Sequence, residues 1–246
     1  MRLAAVLLAA VVLSGCFQVA SVITVRADGS AMIRDDVTLS GMALLAFEEA
    51  GADGPALFSR NDMVRRARAL GEGVRLVSFE TRDDGYAAVY AVDDVRRIAY
   101  AAPSAGEGSD AGETVALSFG FDEGDPSVLL AFVPKPPAQK RTEPPAELDM
   151  GGQEQALEMA RGFLANARMT VAIEIEGDLV DTNAPAVDGS RVTVYDVPFD
   201  VLLDAMAENP ALGAGGPPDP AAVLSTLRTV EGLTIPAPGT IRVRFR

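Results

Sequence analysis

Four times along this chain, two runs of alternating or β-branched apolar residues flank a short polar segment suited to turning. Val19 to Val25 and Ala31 to Leu39 flank Asp28-Gly29-Ser30, and Val74 to Thr81 and Tyr86 to Val92 flank Asp83-Asp84-Gly85. Thr114 to Asp122 and Ser127 to Val133 enclose Glu123-Gly124-Asp125-Pro126, while Thr170 to Glu176 and Arg191 to Val197 enclose a longer loop from Asp178 to Gly189. Alternation with a period of two puts one set of side chains on a buried face, and Gly beside Asp lets the backbone reverse, so each pair reads as a β-hairpin. Thr240 to Phe245 closes the chain as a further strand.

Helical spacing fills the intervals. Met42 to Glu49 reads as a short helix. Ser59-Arg60-Asn61-Asp62 is rich in capping residues ahead of Met63, Val64, Ala67 and Leu70, which predicts a helix over 61–70 ended by Gly71. A third is expected over 153–166, with Leu157, Ala160 and Leu164 on one face and Phe163 beside them. Pro198 opens another, through Glu208, with Phe199, Leu202, Leu203 and Met206 inward, and a last one lies near 219–229. The expected fold class is therefore α+β, a mainly antiparallel sheet of hairpins packed against several helices. The two ends share an order of strand, Asp-Gly-Ser turn, strand, helices, strand, with turns at Asp28 and at Asp188-Gly189-Ser190. That order fits a pseudo-repeat, two halves building one sheet, or chance recurrence of a common turn.

The first fifteen residues stand apart. Arg2 is followed by an apolar stretch from Leu3 to Leu13 and then small residues, the three parts of a secretory signal. A membrane-crossing helix needs about 18 apolar residues or more, and this run is shorter. Cys16, the one cysteine of the chain, closes it as Leu13-Ser14-Gly15-Cys16. This segment resembles the lipobox of bacterial lipoproteins, which implies removal of residues 1–15 and lipidation of Cys16 on sulfur. One acyl chain anchors only marginally at about 0.8 kcal/mol per buried methylene, whereas a diacylglyceryl thioether with an N-acyl chain anchors stably. Phe17 follows the cysteine where many inner-membrane lipoproteins carry Asp, which directs the expectation to the periplasmic side of the outer membrane if two membranes are present. The expected organisation is a lipoprotein signal over 1–15, an N-terminal α+β region over 16–133, a Pro-rich linker over 134–152 and a C-terminal α+β region over 153–246. The two regions either stand separately or share one sheet.

Composition removes whole classes of function. With 48% hydrophobic and 23% charged residues the chain can build a core. A net charge of −14 opposes nucleic acid as a partner, because phosphate binding depends on clustered Lys and Arg. An acidic surface also repels anionic headgroups, which leaves the anchoring to the lipid. There is no histidine, so Ser-His and Cys-His pairs, the usual near-neutral general base and the commonest zinc ligand are all missing. The two lysines, Lys135 and Lys140, lie in the Pro-rich tract, where a base is hard to bury.

Carboxylate pairs are the remaining catalytic option, since glycosidic cleavage needs two at a set separation in a cleft. Asp35 with Asp36, Asp83 with Asp84, and Asp93 with Asp94 read as turn or strand-end residues, and Glu174 with Glu176 as the solvent face of a strand. Low aromatic content, without tryptophan, argues against a sugar-stacking groove. Asp178, Asp181, Asn183 and Asp188 crowd one loop as weak calcium candidates, but they lack the spaced calcium-loop pattern, and no metal or other cofactor is expected. Gly106, Gly108 and Gly112 do not have phosphate-loop spacing. Arg65, Arg66 and Arg68 project from the helix over 61–70 and are candidates for contact with headgroups or an acidic partner.

Phe17 to Ser40, the hairpin directly after Cys16, and Val171 to Leu203, containing Glu176-Gly177-Asp178-Leu179-Val180-Asp181-Thr182-Asn183 and Asp188-Gly189-Ser190-Arg191-Val192-Thr193-Val194, resemble segments of uncharacterised bacterial lipoproteins. More distantly the chain is similar to the LppM-type group. The resemblance implies an envelope lipoprotein with a curved sheet and packed helices, without an enzymatic activity to carry over. The expected function is a non-enzymatic binding or scaffold domain, held to a membrane through its N-terminal lipid, with an envelope protein or lipid ligand as partner. The alternatives are an amphiphile carrier with an internal cavity and, less favoured, a hydrolase using paired carboxylates.

Overall fold

A computed structural model describes residues 17–39, 58–103, 116–135, 166–209 and 220–246, together with residues 41, 44, 161 and 164. Cys16, most of the 42–49 helix, most of the Gly-rich loop around 103–112, most of the Pro-rich linker and most of the 153–166 helix lie outside the described residues.

The first hairpin forms as its alternation dictates. Strands β1 (Phe17–Val25) and β2 (Ala31–Leu39) pair antiparallel from Phe17 opposite Leu39 to Val25 opposite Ala31. Gly29 turns the chain at φ +78°, with the Phe121 ring so close that a side chain there would meet it at 2.8 Å. Helix α1 (Arg60–Leu70) follows, opened by a capping box in which the Ser59 hydroxyl accepts from the Asp62 amide and the Asp62 carboxylate accepts from the Ser59 amide. It buries Met63, Ala67 and Leu70. Strands β3 (Val74–Arg82) and β4 (Gly85–Val92) form the second hairpin, and β4 lies against β2. Gly85 is required there: a Cβ would sit 1.9 Å from the Val37 carbonyl oxygen.

Beyond β5 (Ala99–Tyr100), strands β6 (Leu117–Asp122) and β7 (Ser127–Val133) make the third hairpin. Strand β8 (Arg168–Ile175) then runs parallel to β1, with Gln18 opposite Arg168 and Val25 opposite Ile175. The segment expected to be a loop from Asp178 to Gly189 instead contains two short strands, β9 (Leu179–Thr182) and β10 (Val187–Asp188). It is held by the last strand, β12 (Gly239–Phe245), which pairs with both β7 and β9. Strand β11 (Arg191–Pro198) returns beside β8 and passes directly into α2 (Phe199–Glu208); α3 (Pro220–Leu227) precedes β12.

The result is an α+β fold with two largely antiparallel sheets. The larger has the order β10-β11-β8-β1-β2-β4-β3, and the smaller the order β5-β6-β7-β12-β9. Strands from both sides of the Pro-rich tract therefore lie in each sheet, and β1 is the middle strand of the larger one. Inward residues of the two sheets meet in one buried cluster: Val19, Ile23, Ile33, Val37, Val171 and Ile173 from the larger, Leu117, Phe119, Leu129, Ile241, Val243 and Phe245 from the smaller. A second, smaller cluster of Val197, Leu227 and Leu233 seats α3 beside the end of β11.

Candidate functional site

Strand β2 runs Ala31, Ile33, Asp35, Val37, Leu39 along its inner face, and every one of these residues is buried. A carboxylate in that row is costly unless it finds donors and a countercharge. Asp35 finds both. Its Oδ1 accepts from the Ser21 hydroxyl of β1 at 2.7 Å and from the Tyr100 hydroxyl of β5 at 3.3 Å. Its Oδ2 accepts from Arg66 Nε of α1 at 2.9 Å, and the guanidinium's Nη2 is also 2.9 Å away.

Arg66 comes down from the helix, with its Nη2 donating to the Ala101 carbonyl at 3.0 Å and its guanidinium carbon 5.9 Å from the Tyr100 ring centre. Burial works against its charge most strongly, but the Asp35 carboxylate and the oxygens of Tyr100, Tyr86 and Tyr90 together outweigh that cost, and the guanidinium's pKa is held above its ordinary value. Burial, and then Asp35, push the hydroxyls of Tyr86, Tyr90 and Tyr100 upward, so all three stay neutral in the folded protein. Tyr90 donates to the Met63 sulfur at 3.2 Å. No buried side-chain nitrogen or oxygen among the described residues lacks a partner.

Four elements thus converge on one carboxylate. Asp35 is 0% and Tyr100 1% exposed, and only the Arg66 side chain, 17% exposed, reaches solvent, so what the cluster can do as it stands is fix α1 and β5 onto the larger sheet. The expectation that Asp35 is a turn or strand-end residue is corrected: it sits in the middle of β2. Its neighbour Asp36 points to the other face, where it accepts from Arg34 at 2.6 Å and from Arg82 at 3.1 Å, so the two acids share no site. The expectation that Arg66 projects outward is corrected as well.

Arg65 is exposed and ion-paired with Asp62, and Arg68 is exposed, so the three arginines do not form one surface. Asp181 and Asn183 meet at Arg242: Asp181 lies 3.4 Å from its guanidinium, and Asn183 Oδ1 accepts from its backbone amide at 2.6 Å. Asp178 exchanges backbone bonds with Arg246, and Asp188 lies in β10, apart from the others. Among the described residues no three His, Cys, Asp or Glu side chains are grouped to hold a metal ion. Members of two other carboxylate pairs are engaged separately: Asp93 pairs with Arg75 at 3.2 Å, Asp94 caps the turn at Val95–Arg97, and Glu176 pairs with Arg26 at 2.6 Å. Where α3 and the 235–238 segment approach β7 and β11, a mainly apolar depression of about 70 Å³ is lined by Val133, Tyr195, Leu224, Arg228, Ile235 and Pro238, among others.

No protein-family model matches the chain, and no curated protein matches it. Among solved structures, it is similar to the folded domain of LppM from Mycobacterium tuberculosis, determined by NMR. The two are 11% identical at a TM-score of 0.33, over 95% of this chain and 91% of that one. The likeness is distant and carries no residue role across.

Proposed function

We propose that this chain is a lipid-anchored envelope protein whose α+β domain serves as a non-enzymatic binding or scaffold module. The observation that carries the reading is Leu13-Ser14-Gly15-Cys16 at the end of a short apolar run, with a folded strand beginning at Phe17. A signal cleaved before Cys16 and a thioether on its sulfur would attach the domain without a spanning helix, and no described helix is long and apolar enough to cross a membrane. If two membranes are present, Phe17 in place of an acidic residue favours the periplasmic face of the outer one.

The non-enzymatic part of the reading is supported by where the chemistry went. The carboxylate with the most elaborate surroundings, Asp35, is sealed beneath α1 and joins structural elements. The depression of about 70 Å³ is well below the roughly 300–1,000 Å³ of ordinary small-molecule sites. Partners are expected at the surface, among envelope proteins or lipids.

The test is mass spectrometry of the N-terminal peptide from the exported protein, paired with fractionation of a Cys16→Ala variant. The expected result is a mature chain starting at an acylated Cys16, and a variant that leaves the membrane fraction. An unmodified Cys16, or a variant that stays with the membrane after export, overturns the reading.

A further inference from the structure

The anchor and the fold are joined without slack. Strand β1 begins at the residue after Cys16 and is the middle strand of the seven-stranded sheet, so an acylated Cys16 would pull on the centre of the domain. The pairing registers define which end of the sheet is near it. Phe17 lies opposite Leu39, Gln18 opposite Thr38 and Arg168, Pro198 opposite Arg168, and Arg82 opposite Gly85. The β3–β4 turn with Asp83 and the first turn of α2 with Asp200 therefore flank the start of β1, whereas the turn at Asp28 and the β10 residue Asp188 lie at its far end. Nine strand residues at about 3.3 Å each separate the two ends by roughly 30 Å.

Charge does not distinguish the two ends. Asp28, Asp94, Glu123, Asp125, Asp178 and Asp188 lie at the far end, where Arg96 and Arg97 pair with Asp94 and Arg246 with Asp125. The 123–126 turn belongs there because the Ser127 hydroxyl reaches the Ala27 carbonyl and Arg246 pairs with Asp125. At the near end, Arg82 pairs with Asp36 and Arg168 with Asp196, and the exposed Asp83, Asp84 and Asp200 add acids there as well, so the orientation rests on the attachment point of β1.

We infer that the end of the larger sheet formed by the start of β1, the β3–β4 turn and the β11–α2 junction rests against lipid headgroups, because Cys16 directly precedes β1, and that the far end is held about 30 Å away, facing the envelope space. This rests on acylation of Cys16. It gives the proposed module an orientation: a protein partner meets the loops around Asp28, Glu123 and Asp188, and the bilayer meets the opposite end.

Because Cys16 is the sole cysteine, an introduced one is the only free thiol in the acylated protein. Exported full-length Asp83→Cys, Asp200→Cys, Glu123→Cys and Asp188→Cys are labelled with a fluorophore. Each is then reconstituted into phosphatidylethanolamine/phosphatidylglycerol vesicles carrying a headgroup nitroxide quencher. The first two are expected to lose most of their emission and the last two little. A Gly/Ser linker of about 20 residues placed between Cys16 and Phe17, with a root-mean-square span of about 25 Å, is expected to level the four. Mass spectrometry of the same samples separates the two ways to fail. Acylated protein with equal quenching, or with stronger quenching at Glu123→Cys and Asp188→Cys, overturns the orientation alone; unacylated protein overturns the orientation together with the anchor.

Discussion

The inner and outer faces of the larger sheet handle the same residue type in different media. On β2, Asp35 faces inward and is fully buried, with a donor each from β1 and β5 and a guanidinium from α1. Its neighbour Asp36 faces outward, 28% exposed, and meets Arg34 and Arg82, whose side chains are 58% and 38% exposed. Both are ion pairs on paper. Water screens the outer one and lets either partner stand alone, whereas the inner one leaves a dry, uncompensated charge when either partner is removed.

The widest gap between the faces is therefore expected in single substitutions. Asp35→Ala should lower unfolding stability by about 3–5 kcal/mol in urea titration, because Arg66 keeps its charge while losing its carboxylate. An unchanged midpoint would mean that water already reaches the guanidinium. If the single variant is too unstable to purify, Asp35→Leu combined with Arg66→Met keeps the comparison open. Replacing both charges with apolar side chains of similar volume is often neutral or stabilising, so the pair should cost less than Asp35→Ala alone. A double variant as unstable as the single one would show that Ser21 and Tyr100 depend on the carboxylate more than the ion pair does.

Both buried charges were marked in the sequence by position rather than by type. Asp35 follows Ala31 and Ile33 at a spacing of two, which fixes it on the buried face of β2. Arg66 shares the i, i+3, i+4, i+7 row of Met63, Ala67 and Leu70, the row that α1 buries. A cluster of three arginines invites reading all three as a polar face, yet the helical period assigns Arg66 to the other side from Arg65 and Arg68. Two opposite charges on inward positions are natural partners, and periodicity alone pairs them. The first three hairpins were legible for the same reason.

What periodicity could not supply was the long-range pairing. Edge strand β9 carries no alternation, since Val180 and Asp181 both lie exposed, and it exists because β12, some sixty residues later, offers it backbone groups and Asn183 clamps the junction. The parallel contact of β1 with β8 is likewise invisible locally, because a strand's own pattern says which face is buried and not which neighbour it takes.

Alkali separates the faces through the tyrosines. All four, Tyr86, Tyr90, Tyr100 and Tyr195, have their pKa raised by burial, and for the first three Asp35 adds to it. Above the ordinary value of 10.0 the unfolded chain releases phenolic protons that the folded one retains. Fewer protons bound in the unfolded state make stability fall as pH rises through that window. Tyrosinate absorbance should therefore appear together with loss of circular dichroism. Tyrosinate forming in a still-folded protein at its ordinary pKa would show that the inner face is wet.

The smallest effect is expected outside. Asp36 has its pKa lowered chiefly by the hydrogen bond from Arg34, against a smaller cost of burial and with help from the Arg34 and Arg82 charges. A lowered folded pKa means that the unfolded chain binds more protons below the ordinary 3.8, so the stability this group supplies is complete above that value and is lost as pH falls through the folded pKa. Asp36→Asn should thus cost about 0–1 kcal/mol at neutral pH, shrink further in high salt, and converge on the parent protein in acid. A cost that persists at low pH and high salt would mean that the amide lacks a geometry the carboxylate has, and the outer pair would then belong with the inner one.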